Sequence, residues 1–174
     1  MRTGFTLVEL MVIVALLGVA VSWGIPSLQA LTAGLRLQAA AHDTYALLQH
    51  ARYQAMLDQQ PRFVLWQGSA EQWCVAISLQ PDCDCRREQC AMADGYFRLV
   101  SEAYPGVLLQ RAVFAQGAYT RFDGQRGLAQ AHAGSVTYQT LTAALTPSEL
   151  RVVVSTLGRV RLCQVGDFSA HATC

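Results

Sequence analysis

Gly4-Phe5-Thr6-Leu7-Val8-Glu9-Leu10 opens a segment that runs on from Leu10 to Val21 without a polar side chain and to Leu35 without another charge. One carboxylate, Glu9, sits at its start. A charge at the centre of a bilayer costs roughly 2.5–3.5 kcal/mol on insertion scales, so an acid in such a segment points to a function. Leu10 to Leu31 is long enough for a helix to cross about 30 Å at about 1.5 Å per residue. The rest of the chain reads as a soluble domain carried on this handle.

Met1-Arg2-Thr3-Gly4 is a short basic leader, and Ala20-Val21-Ser22 would pass as a signal-peptidase site. Signal peptides rarely carry an acid where Glu9 stands, and a plain anchor leaves it unexplained. The full stretch resembles the prepilin motif of type IV pilins and type II secretion pseudopilins. The resemblance implies that residues 1–4 are a leader removed by a prepilin peptidase between Gly4 and Phe5. It implies further that Phe5 is then N-methylated and that Glu9 is the assembly residue. The chemistry is coherent. Phe5 and Glu9 are i and i+4 on a helix and share a face. The amine of one subunit can partner the carboxylate of a neighbour, which would be costly to bury alone.

The chain has 174 residues, a formal net charge of +1 and six cysteines. After the handle, about 140 residues remain, enough for one domain with a real core. Near-neutral charge gives no global field for nucleic acid or anionic lipid. From Ser27 to Gln60 apolar residues recur at helical steps: Leu28, Leu31, Leu35, Ala39, Tyr45, Leu48, Ala51 and Ala55. The spacing predicts one helix over 5–60, its membrane or filament-core half spanning 5–31. A kink is expected near Gly24 and Pro26, and a stop before Pro61.

Beyond Pro61 the period becomes two. Strands are expected at 62–66, 73–79, 96–100, 107–114, 119–122, 135–139, 151–155 and 159–163, with a compact turn at Thr156-Leu157-Gly158. The fold class is α+β: a long N-terminal helix packed on an antiparallel sheet domain over 61–174. Phe122-Asp123-Gly124-Gln125-Arg126-Gly127 and the late Val-rich strand, Gly-Arg-Val-Arg turn and cysteine resemble the GspH/FimT family of minor pilins and pseudopilins.

Cys83, Cys85 and Cys90 crowd together just after Cys74, in a spacing uncommon for zinc. In an exported domain, disulfides are the expected use. Six cysteines allow 15 connectivities. Cys163 with Cys174, and Cys74 with the 83/85/90 group among themselves, is the pairing expected here. A bridge over the short 163–174 loop contributes about 3 kcal/mol.

Gly158-Arg159-Val160-Arg161 sets two guanidinium groups on one face of a strand, a pair suited to phosphate oxygens. From Arg98 onward seven Arg stand against four acids. Resemblance to the FimT branch implies double-stranded DNA capture by Gly158, Arg159 and Arg161, with Arg151 or Arg126 helping, for uptake in natural transformation. The alternatives are exposed Arg that merely solvate an edge strand, a purely structural or priming minor pilin, or an H-type pseudopilin of type II secretion. No phosphate loop, nucleophile elbow or His-rich metal spacing is present, so neither an enzyme nor a cofactor is expected. Expected partners are other pilins, the prepilin peptidase and the inner membrane before assembly. The expected location is a single-pass inner-membrane protein with a periplasmic domain, then a type IV pilus at the cell surface.

Overall fold

Helix α1 runs Leu7–Asp58 and passes Gly24 and Pro26 without a break in its helical pattern. The proline withdraws one N–H donor from the ladder, and the neighbouring turns keep theirs. A computed structural model of the chain describes residues 7–87, 90, 97–140, 149–165 and 174, and within α1 the side chains of 20–28 and 30 lie outside that set. Gly4 and Phe5, the expected processing site, therefore lie outside the described residues. At the other end Gln59 takes a left-handed backbone (φ 53°) and the Gln60 N–H donates to the Ala55 carbonyl at 3.2 Å. This is a helix-closing turn with glutamine where glycine usually stands. Pro61 follows.

The chain divides into two compact units after Thr32. In the first, every described side chain from Leu7 to Val19 is exposed. Among the described residues no helix is long and apolar enough to cross a membrane. The expected span needs residues through Leu31, of which 20–28 and 30 have undescribed side chains.

In the second unit α1 buries Leu37, Ala40, Ala41, Thr44, Leu47, Leu48, Ala51, Gln54 and Ala55. That is an unbroken three- and four-residue stripe. Leu48, Ala51 and Ala55 were expected there, but Leu31, Leu35 and Ala39 are exposed. At roughly 100° per residue, those three fall on the opposite side of the helix from Leu37. The true stripe sets four alanines and Thr44 among three leucines, and these small residues let strands approach closely.

Among the described residues eight strands form the antiparallel part of the expected α+β fold, divided between two sheets. They are β1 (Arg62–Gly68), β2 (Trp73–Ser78), β3 (Arg98–Val100), β4 (Val107–Phe114), β5 (Tyr119–Phe122), β6 (Gly134–Thr140), β7 (Glu149–Val154) and β8 (Val160–Val165). The orders are β3-β2-β1-β5 and β4-β6-β7-β8. The split falls at β4 and β5, successive strands that join different sheets. β4 pairs with β6, while β5 returns to β1.

One core serves both sheets and the helix. Leu37, Leu48 and Ala51 share it with Val64, Trp66, Val75 and Ile77 of the first sheet and Val136, Tyr138, Leu150 and Val152 of the second. The Tyr138 hydroxyl ties the three layers. It lies 2.9 Å from Thr44 Oγ1 on α1 and accepts from Trp66 Nε1 on β1 at 3.2 Å. Burial pushes its pKa up to about 12, against two hydrogen bonds that lower it.

Disulfides join Cys74 to Cys85, Cys83 to Cys90, and Cys163 to Cys174. The first two explain why all of β2 is buried. Trp73, Val75 and Ile77 face the main core, whereas Cys74 and Ala76 pack with Cys85 and Cys90 on the other side. Gln67 clamps this loop, donating to the Cys83 carbonyl at 2.7 Å and accepting from the Cys85 N–H at 2.9 Å.

Candidate functional sites

Three regions carry chemistry that the core does not use. The first is the exposed start of α1. Glu9 lies in its first turn among Leu7, Val8, Leu10 and Met11, all more than half exposed. A contiguous apolar surface of this kind marks a protein or membrane contact, and Glu9 is the acid within it.

The second is the β7–β8 hairpin. Its turn is closed by Gly158 N–H to the Ser155 carbonyl at 2.9 Å, Ser155 N–H to the Arg159 carbonyl at 3.0 Å, and Arg159 N–H to Ser155 Oγ at 3.1 Å. Gly158 is buried with a φ of 72°, and a Cβ there would run into the Gly127 carbonyl oxygen. That oxygen also accepts from Arg52 Nε of α1 at 3.1 Å. Gly158 thus seats the hairpin against the 122–127 turn. Arg159 stands just before β8 rather than within it, yet both it and Arg161 are exposed around buried Val160. Neither has an ion pair among the described residues.

Strand register adds to this pair. Arg161 lies opposite Val153, and Arg151 lies between Thr137 and Cys163. Residues directly opposite in an antiparallel pair share a face, so Arg151 and Arg161 stand on the same side of the second sheet. They line one cavity of about 480 Å³ with Ser135, Cys163 and Cys174. Arg151 Nε donates to Thr137 Oγ1 at 3.1 Å, which fixes its direction. Arg111 opposes Thr137 from β4 and extends the same row; residue counting along the sequence gave no sign of it. Arg126 does not join this group.

Arg126 belongs to the third region, the turn 122–127. Asp123 organises it, accepting from the Gln125 and Arg126 N–H groups through Oδ1 and from Leu128 N–H through Oδ2, all at 2.7–2.9 Å. Burial raises its pKa, but these amides and the Arg126 guanidinium outweigh that and hold it below the usual carboxylate range. Gly124 packs so closely on the helix end that a Cβ would strike the Gln59 and Gln60 backbone. Beside this turn lies a cavity of about 630 Å³ lined by Gln59, Arg121, Asp123, Gln125, Arg126 and His132. Among the described residues no group of three or more His, Cys, Asp or Glu is placed to hold a metal ion, and every cysteine is in a disulfide.

A family model described as Type II transport protein GspH matches residues 40–158, more than half of the chain. This chain belongs to the GspH family. A second model, the prokaryotic N-terminal methylation motif, matches residues 1–25 and so covers Gly4, Phe5 and Glu9. Among solved structures, the type IV minor pilin FimU of Pseudomonas aeruginosa is similar at 17% identity and a TM-score of 0.45, over 72% of this chain and 87% of that one. No curated protein matches significantly.

The GspH match and the methylation motif make the chain a type IV pilin-like subunit, of the minor pilin or pseudopilin kind. They indicate processing as a prepilin and assembly with other pilins. The GspH match begins at Ala40, on the buried stripe of α1, and ends at Gly158. Arg159, Arg161 and the Cys163–Cys174 bridge lie beyond the matched stretch, so the match bears on the framework and not on the exposed arginines.

Proposed function

We propose that this GspH-family subunit is a minor pilin of a type IV pilus, placed near the tip, that binds double-stranded DNA through its C-terminal arginines. The observation that carries the DNA reading is the placement of Arg151, Arg159 and Arg161. Two are exposed, two share a cavity, and Arg159 and Arg161 have no acidic partner among the described residues. Guanidinium groups on one face meet phosphate oxygens in bidentate pairs. Such contacts give affinity that is sequence-independent and falls steeply with salt.

The subunit is made as a prepilin, cut between Gly4 and Phe5, methylated on Phe5 and held in the inner membrane by residues 5–31. Its domain lies in the periplasm, where the three disulfides are at home. Glu9 then pairs with the Phe5 amine of a neighbouring subunit. Mass analysis of the mature chain checks the processing step: a start at Phe5 with one added methyl is expected, and a retained Met1 overturns it.

For DNA, a gel-shift titration of the full chain in detergent micelles is expected to show binding at low salt. Three phosphate contacts give a slope of about −2.7 in log affinity against log salt. Arg159→Ala with Arg161→Ala is expected to bring the slope to about −0.9. An unchanged shift removes DNA from the reading and leaves a structural or priming minor pilin, or an H-type pseudopilin.

A further inference from the structure

The cavity beside the 122–127 turn has a different composition from the arginine face, and three features converge on it. The first is orphaned polarity. Arg121 Nε and His132 Nδ1 are both buried with no hydrogen-bond partner among the described residues. A buried donor or acceptor left unsatisfied is costly, so a water or a ligand within reach of these side chains is favoured.

The second is charge. Arg121 and Arg126 have no ion pair among the described residues. The acid between them, Asp123, has both carboxylate oxygens committed to backbone amides. The wall thus sets two guanidinium groups against one carboxylate, a net positive charge. His132 is held below its ordinary pKa by burial and by nearby Arg121, so at neutral pH it offers an uncharged ring with one N–H.

The third is orientation. The Arg121 guanidinium sits 5.9 Å over the Phe63 ring, and the Tyr119 and His132 rings lie 5.4 Å apart. Both binding side chains are therefore held by aromatic neighbours on the edge strand β5 and its partner β1. The turn that brings His132 to the wall is closed by its N–H donating to the Ala129 carbonyl at 3.0 Å, with Ala131 at a φ of 61°, a left-handed conformation that the third residue of such a turn adopts.

We propose that this cavity binds a small oxyanion, a phosphate or a carboxylate, gripped by Arg121 and Arg126 with His132 supplying a further hydrogen bond. Planar guanidinium groups match both anions. The site is independent of the arginine face on the second sheet and does not rest on the DNA reading.

Calorimetric titration of the full chain in detergent micelles, with inorganic phosphate in one arm and acetate in the other, tests it. Saturable binding with a Kd of about 1 mM is expected in at least one arm, and the arm that saturates names the anion. Arg121→Gln is expected to weaken that binding by about 10-fold or more. Arg126→Gln, at an exposed position, is expected to weaken it by about 3–10-fold. Arg87→Gln, in the disulfide loop, is expected to leave it unchanged. If neither anion saturates, the cavity holds water only and the proposal is wrong. If Arg126→Gln and a folded Arg121→Gln both bind as tightly as the parent chain, it is equally wrong.

Discussion

The two halves of α1 obey the same helical geometry and do opposite things with it. From Leu7 to Val19 every described side chain is exposed, and most are large and apolar. From Leu37 to Ala55 the buried positions form one stripe, and much of it is alanine. The first half holds the greater hydrophobic mass and buries none of it among the described residues. The second half uses small residues and is sealed. Hydrophobicity alone does not make a core. What decides is whether another part of the same chain supplies a complementary surface, and for the first half that surface must come from outside.

Leu48 tests the sealed half most severely. It is wholly buried at the centre of the stripe, so Leu48→Ala leaves a cavity and is expected to lower the unfolding free energy by about 2–5 kcal/mol. Denaturant titration followed by the fluorescence of Trp66 and Trp73 measures it. A loss below about 1 kcal/mol would mean that this stripe is no better packed than a surface.

Tyr138 probes the polar tie within the same half. Tyr138→Phe keeps the ring and strands Thr44 and Trp66, for an expected loss of about 1–3 kcal/mol. The pH dependence has a definite sign. Because the folded-state pKa is raised to about 12, the folded chain holds the phenol proton more tightly than the unfolded chain does. Its stabilising contribution is complete below about pH 10 and is lost as pH rises through about 12. Tyr104 is shifted upward too, by burial and by its hydrogen bond to Asp43, so the variant should lose part of the alkaline decline rather than all of it.

These tests rest on features of unequal legibility. The helix stop at Pro61 and the strands Val107–Phe114 and Tyr119–Phe122 follow from periodicity, and the structure begins and ends those strands at the expected residues. Leu31 and Leu35 mislead because exposed leucines of the apolar half repeat at the same interval as core leucines. The division into two sheets was not readable, since it depends on which distant strand β4 and β5 meet. Arg159 and Arg161 stand out from their spacing, whereas Arg151 and Arg161 become neighbours only through strand register. Nothing local in the chain puts His132 beside Arg121. That juxtaposition needs β5 and the turn at Ala131 to fold back on one another.

Asp123 is expected to give a smaller effect. Asp123→Asn keeps one carbonyl oxygen for the backbone amides and loses the charge, for an expected cost of about 1 kcal/mol. Since the folded carboxyl has a lowered pKa, its contribution is present above about pH 4 and is lost as pH falls through the folded value. The variant should therefore unfold less steeply than the parent below pH 4.

The smallest expected change in stability is the one that bears most on the contrast between the two halves. Leu16 is 65% exposed, so Leu16→Ala is expected to alter the unfolding free energy of the chain in micelles by no more than about 0.5 kcal/mol. Covered by a neighbouring pilin, the same side chain would contribute roughly 1.5–3 kcal/mol, and its loss should reduce incorporation into filaments by about 10-fold or more. The two measurements together separate the halves: Leu48→Ala acts on the chain alone, Leu16→Ala on the assembly alone. If Leu16→Ala instead unfolds the isolated chain as readily as Leu48→Ala does, the exposed half has a partner within its own subunit. Glu9 would then be an acid buried by its own chain, and its role as a docking group between subunits would fall with the contrast.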